Sequence, residues 1–284
     1  MLELNTRNSR LTLPNVLLTL TALVVASIFA FPIYFMVTTS FKAETEVFAT
    51  PLHWLPHDFQ GFQNYVRAFE MEPVARFLLN TTIVAVLDVS FTVFFSAVAG
   101  FGFAKYRFPG NRILFYVVIS TMMIPVQILL VPLVTEIHHF GWTNTYIGLI
   151  VPGILNAFGV FMMRQFSHSI PDEILWAARI DGASEPRIFW RLGFPLLAPA
   201  SGGLAIIIFV WAWNNFLWPL VVVQSKELTV LAVGLTAFSQ PYEWLPMWTE
   251  AMAVSTLATL PVAMLFIFFQ RFFVEGLTAA AIKG

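Results

Sequence analysis

Apolar residues in this chain come in long unbroken runs, not at every third or fourth position. Six stretches are long and apolar enough, or nearly so, to cross a bilayer: 16–38, 77–101, 113–134, 146–163, 202–223 and 251–269. A spanning helix needs about 20 mostly apolar residues. The one charge inside the six runs is Asp88. Prolines 32, 125, 132, 152, 219 and 261 fall within them, which a bundle tolerates where neighbours satisfy the freed carbonyls. Hydrophobicity does not alternate with period two, so a barrel is not expected. The pattern predicts an all-α integral membrane protein of six transmembrane helices, read as one domain over 1–284 with its core at about 77–273.

The longest polar interruption in the last two-thirds of the chain is the stretch from Arg164 to Ala200. It carries Arg164, Arg179, Arg187 and Arg191 against Asp172, Glu173, Asp181 and Glu185. Its local signals predict a helix, a turn and a second helix between spans four and five. Ser169 is placed to cap the first helix, with Pro171, Asp172 and Glu173 in its opening turn. Gly182 supplies a left-handed stop. Ser184 is placed to cap the second helix, with Glu185 and Pro186 behind it, and that helix runs through Phe189, Trp190 and Leu192 towards Pro195. Ala177, Ala178 and Ala183 keep the pair slim. Such a pair suits a cleft in a soluble partner, or equally an amphipathic helix lying in the membrane interface.

Composition supports the membrane class. The 284 residues are 58% hydrophobic and only 11% charged, with a mean hydropathy of +0.77, whereas soluble domains have about 25% charged residues. A net charge of −1 argues against a nucleic-acid partner. There is no cysteine, which removes disulfides and thiolate metal sites. The first run exceeds the length of a signal-peptide core and is read as an uncleaved span.

Six spans put both ends on one side, together with Arg7, Arg10, Lys105, Arg107, Arg112, Arg164, Arg179, Arg187, Arg191, Arg271 and Lys283. The other side holds Lys42, Arg67, Arg76 and Lys226. Eleven basic residues against four place both termini, and the 164–199 loop, in the cytoplasm. The outer side then consists mainly of 41–76 and 224–250, where Trp54, Tyr65, Tyr242, Trp244 and Trp248 read as headgroup-level anchors beside Pro241.

Catalytic signals are weak. No phosphate-binding G-x-x-x-x-G-K-[ST] loop occurs. His138 and His139 are adjacent and point to different helix faces, so no metal site is expected. The Asn80-Thr-Thr82 pattern matches a glycosylation acceptor but lies at a helix mouth. Asp88 is either on a solute path or in a structural pairing. Trp211, Trp213, Asn214, Asn215 and Trp218 offer ring faces and amides suited to a sugar, although bulky aromatics in a membrane helix more often serve packing or interface anchoring. An ion-coupled transporter would place more ionisable groups at mid-membrane.

The segment from Pro171 to Ala200 resembles the "EAA" loop of permease subunits of bacterial ABC importers: Ala177, Ala178, Gly182 and Pro195 match its pattern. The Asp181-Gly182-Ala183 form is that of many sugar permeases. Thr39-Ser-Phe-Lys42, Lys105-Tyr-Arg-Phe-Pro-Gly110, Asn144-Thr-Tyr-Ile-Gly-Leu149, Phe161-Met-Met-Arg-Gln-Phe166, Trp213-Asn-Asn-Phe-Leu-Trp-Pro219 and Phe273-Val-Glu-Gly-Leu-Thr278 extend the likeness to the carbohydrate-uptake branch. The resemblance implies a type I permease fold in a bacterial inner membrane, and pairing with a second homologous permease. It also implies two ATP-binding subunits that hold ATP and Mg, and an extracytoplasmic solute-binding protein. The chain itself would carry no cofactor and no ATPase site. The residues implied to meet the ATPase are Glu173, Trp176, Ala177, Ala178, Asp181, Gly182 and Ala183, and the tail 276–284 is implied to touch it as well. Trp176 stands where the family pattern has glutamate, and Glu173 lies one turn earlier on nearly the same face.

Overall fold

The computed structural model describes residues 13–239 and 247–281. Arg7, Arg10, Pro241, Tyr242, Trp244, Lys283 and the last residues of the tail lie outside them. In chain order the helices are α1 (Leu13–Thr39), α2 (Gln63–Met71), α3 (Val74–Lys105), α4 (Asn111–Ser120), α5 (Val126–His139), α6 (Tyr146–Ile150), α7 (Ala157–His168), α8 (Asp172–Ile180), α9 (Glu185–Ile188), α10 (Phe194–Leu196), α11 (Ala198–Trp213), α12 (Leu217–Val222), α13 (Leu231–Gly234) and α14 (Trp248–Ala281). Every regular element among the described residues is helical, as the continuous hydrophobicity predicts.

The apolar runs are not six straight rods. Three segments, Asn15–Thr39, Val74–Lys105 and Trp248–Phe269, are single helices long and apolar enough to span. The 113–134 run bends by 101° at Pro125, between α4 and α5. The fifth run also departs from its expected bounds. Its helix begins in the polar loop and bends by 71° between the Glu185–Leu196 and Ala198–Trp213 segments. It then stops at Trp213, and α12 follows after a break. The 146–163 run divides into α6 and α7 around residues 151–156. Asn156 restarts the helix there, its Oδ1 accepting from the Gly159 amide at 3.0 Å.

The chain forms two compact units, 1–70 with 238–257, and 71–237 with 258–284. In the first, α1 is apolar all round and is exposed from Leu17 as far as Tyr34, as a helix solvated by lipid should be. The polar turn after it is tied by buried groups. Lys42, fully buried, donates to the His53 carbonyl at 2.6 Å. Glu46 accepts from the His57 and Asp58 amides at 3.0 and 2.5 Å. Asn64 donates to the Ser40 and Lys42 carbonyls, and Arg67 pairs with Glu250 at 2.7 Å.

The second unit is built on α3, which packs chiefly against α7 and α11. The close approach of α7 needs Gly100, because a Cβ there would stand 2.6 Å from both the Arg164 nitrogen and the Met163 Cβ. Around this crossing Ala97, Phe101, Met163, Leu197, Leu204 and Ile208 form one core, which Leu175 and Ile188 of the polar loop join. A second core gathers Val84, Ile137, Leu149, Ile150, Val222 and Val230.

Candidate functional site

The polar loop folds into the expected hook, with corrections at its caps. α8 starts at Asp172, preceded by Pro171 in extended conformation, and Ser169 does not cap it. The Ser169 hydroxyl instead donates back to the Phe166 carbonyl at 2.7 Å and closes α7. Ser184 does occupy the N-cap position of α9, but its side chain makes no capping bond. Gly182 takes φ +78°. The Ala183 amide reaches the Ala178 carbonyl and the Gly182 amide the Arg179 carbonyl, both at 3.0 Å. This pair of bonds is a Schellman stop. Beyond α9, Phe189–Gly193 is a π-helical turn in which the Phe194 amide bonds the Phe189 carbonyl. Gly193 packs there on the Phe101 ring, which a Cβ would approach to 2.7 Å.

The hook has two faces. Leu175 is buried, and Ala178 and Ala183 are half-buried against the core. Burying Leu175 and Ile188 contributes on the order of 2 kcal/mol each. On the opposite side Glu173, Trp176, Ala177 and Ile180 follow the i, i+3, i+4, i+7 spacing of one helical stripe. All four are exposed, Trp176 at 56% and Ile180 at 86%, with Asp181 and Gly182 exposed beside them. The expected contact set therefore divides: Ala178 and Ala183 face their own chain, and the rest face outward. Glu173 forms no ion pair among the described residues.

The hook is fastened to the end of α3 by residues that the sequence did not single out as a pair of clasps. The Lys105 ammonium donates to the Ile170 carbonyl at 2.5 Å and to Asp172 at 2.7 Å. The Tyr106 hydroxyl donates to Glu185 at 2.8 Å, and Arg179 grips the same carboxylate at 2.7 and 3.2 Å. The hydrogen bond from Lys105 holds the Asp172 carboxyl below its usual range, and that from Arg179 does the same for Glu185. Burial first, then the Glu185 contact, pushes the Tyr106 phenol up to about 12. At neutral pH both carboxylates are anionic and the phenol keeps its proton. In the sequence the clasp shows only as separate groups, Lys105 and Tyr106 in one loop and Asp172, Arg179 and Glu185 in another, with nothing local that pairs them.

Asp88 lies half-buried on α3, accepting from Thr92 at 3.2 Å. It faces the gap between α6 and α7: a Cβ on Gly153 would stand 3.5 Å from its Oδ1. The aromatic and amide candidates separate. Trp213 is buried and donates to the Ala258 carbonyl at 3.0 Å, and Trp218 donates to the Gly148 carbonyl at 3.1 Å. Each spends its only donor inside the chain. Trp211 is exposed beside Phe158, and Asn214 and Asn215 are exposed at the break after α11. Trp213 and Asn214 line a cleft of about 220 Å³ with Leu231, Ala232, Leu235, Ala258, Thr259 and Val262.

Among the described residues the chain is all-helical, with broken spans and a braced polar hook. It belongs to a family described as the inner membrane component of binding-protein-dependent transport systems, whose pattern matches residues 93–278. The chain is 34% identical over 269 residues to the arabinooligosaccharides transport system permease protein AraQ of Bacillus subtilis, covering 94% of this chain and 95% of that one. It is 31% identical over 256 residues to the sn-glycerol-3-phosphate transport system permease protein UgpE of Escherichia coli, covering 88% and 91%. Its fold is shared with a chain of a bacterial ABC transporter involved in the import of the acidic polysaccharide alginate. There the TM-score is 0.83 at 22% identity, covering 91% and 96%.

Proposed function

We propose that the chain forms half of the translocation path of an importer for a sugar or oligosaccharide, and that an ATPase subunit grips the 164–199 hook. The observation that carries this reading is the exposed stripe Glu173, Trp176, Ala177 and Ile180 on a helix whose back is clasped to α3. A push on that stripe is delivered to α3, and through the Gly100 crossing to α7 and the gap beside Asp88. With tryptophan at position 176, the seat in the ATPase is apolar, and Glu173 is the anionic contact on that stripe.

The assembly we envisage has a second homologous permease, two ATP-binding subunits that bind ATP and Mg and perform hydrolysis, and an extracytoplasmic solute-binding protein. Counting each bent pair, and α6 with α7, as one crossing makes six crossings and puts both termini in the cytoplasm. The basic loop at 105–112 supports that orientation. It is tested by cysteines at exposed Pro109 and His139 in this cysteine-free chain. An impermeant thiol reagent on intact cells labels position 139 and spares 109, and the reverse pattern overturns the orientation.

The names of AraQ and UgpE support a carbohydrate or a phosphorylated polyol. Trp211, Asn214 and Asn215 are the exposed groups suited to hydroxyls and sugar faces. The reconstituted complex with its binding protein is screened for solute-stimulated ATP hydrolysis over arabino-oligosaccharides, other sugars, sn-glycerol-3-phosphate and peptides. Stimulation by a sugar alone selects the first cargo and by the phosphate ester alone the second. Response only to peptides removes both.

A further inference from the structure

We propose that the cleft where α3 passes into α4 binds the phosphate headgroup of an anionic phospholipid. The cleft has a volume of about 430 Å³ and is lined by, among others, Phe103, Arg107, Phe108, Asn111, Arg112 and Ile113. Its frame is set by the chain itself. The Asn111 amide group donates to the Tyr106 carbonyl at 2.9 Å and the Phe103 carbonyl at 3.4 Å, and Gly110 turns the backbone at φ +83°. Phe103 packs against both Phe108 and Phe115. The site is therefore shaped before any ligand arrives.

Charge and wall chemistry select the ligand. Residues 105–112 carry three basic side chains and no acid. Lys105 is committed to Asp172 and the Ile170 carbonyl. Arg107 and Arg112 are exposed and form no ion pair with a carboxylate among the described residues. The Arg112 guanidinium lies 5.6 Å from the Tyr116 ring, which orients it without neutralising it. Two guanidiniums match a phosphate's paired oxygens. The walls are greasy: Phe108 is 41% and Ile113 70% exposed, and exposed Leu114 and Val117 continue that surface along α4. A free phosphate has no use for such walls, whereas a phospholipid lays its acyl chains along them and its headgroup at the basic rim. The site adjoins Lys105 and Tyr106, the two residues that clasp the hook, so its occupant bears on coupling.

The test uses the complete transporter in phosphatidylcholine membranes containing spin-labelled phosphatidylglycerol or spin-labelled phosphatidylcholine. The fraction of each label immobilised by protein is read by electron paramagnetic resonance. The native transporter is expected to retain phosphatidylglycerol preferentially and saturably. R107Q/R112Q lowers that preference by roughly thirtyfold, given about 1 kcal/mol for each of the two basic residues at a membrane surface, and R107K/R112K keeps most of it. Equal retention of the two lipids by the native transporter overturns the proposal, whether or not the glutamine pair assembles. Full displacement of the label by inorganic phosphate assigns the site to a soluble anion and overturns the lipid. Loss of preference in the lysine pair equal to that in the glutamine pair attributes the effect to packing and overturns the charge argument.

Discussion

The two ends of α3 are both clasped to distant parts of the chain, but by different chemistry. At the Val74 end, Asn80 is fully buried. Its amide donates to the Glu227 and Thr229 carbonyls at 2.9 and 2.8 Å and accepts from the Tyr146 hydroxyl at 2.7 Å. Thr81 beside it accepts from the Leu231 amide at 2.7 Å. At the Lys105 end the partners are charged side chains, with Asp172 and Glu185 about half exposed. Buried neutral bonds are costly to leave unmade. Exposed ion pairs are weak one by one and screened by salt. The first clasp suits permanent structure, and the second suits a joint that is loaded and released in each cycle.

The largest effect that tests this contrast is Asn80→Ala. It leaves two carbonyls and a phenol short of partners and is expected to cost about 2–4 kcal/mol, read as thermal unfolding of the purified complex. A loss below ~1 kcal/mol would remove the structural role. At the other end, Glu173→Ala is expected to lower coupled ATP hydrolysis more than Trp176→Glu does, with unfolding unchanged. A harmful Trp176→Glu beside a silent Glu173→Ala would show that the acid has not moved one turn back.

Glu185→Gln is expected to cost little stability, below about 1 kcal/mol, because the Arg179 pair is half exposed. Coupled hydrolysis should nevertheless fall and become less sensitive to salt. The pH dependence has a definite sign. The Glu185 carboxyl is depressed in the folded chain, so its contribution is complete above its unfolded value and disappears as pH falls through the lower folded one. Tyr106 is raised to about 12, so its contribution is complete below the ordinary phenol value and lost as pH rises through about 12. The clasp should be constant between about pH 5 and 9. Thermal melts of the native and Glu185→Gln complexes should therefore stay parallel over that window, and a gap that opens within it would place the clasp's titration elsewhere.

Much of the hook was legible because its signals are local. Gly182, Asp172, Glu173 and Pro186 act within a turn of their own position. The caps misled where two local partners compete: the Ser169 hydroxyl reaches back to Phe166, and the cap position falls to Pro171. Asn80 matched a glycosylation pattern, yet its side chain is used by a segment some 150 positions later. Nothing near Asn80 announces that.

Run length and hydropathy alone determined that the chain is helical and membrane-embedded, because a bilayer accepts few other backbones. Composition also excluded disulfides, and the 164–200 stretch showed its helix, turn and helix. The folded chain decided which helices bend or break, since a proline can start, kink or end a helix according to its neighbours. It decided that Ala178 and Ala183 face inward while Trp176 and Ile180 face out, because facing depends on what packs behind. It also decided that Lys105 holds Asp172, a contact across 67 positions that no periodicity along the chain encodes.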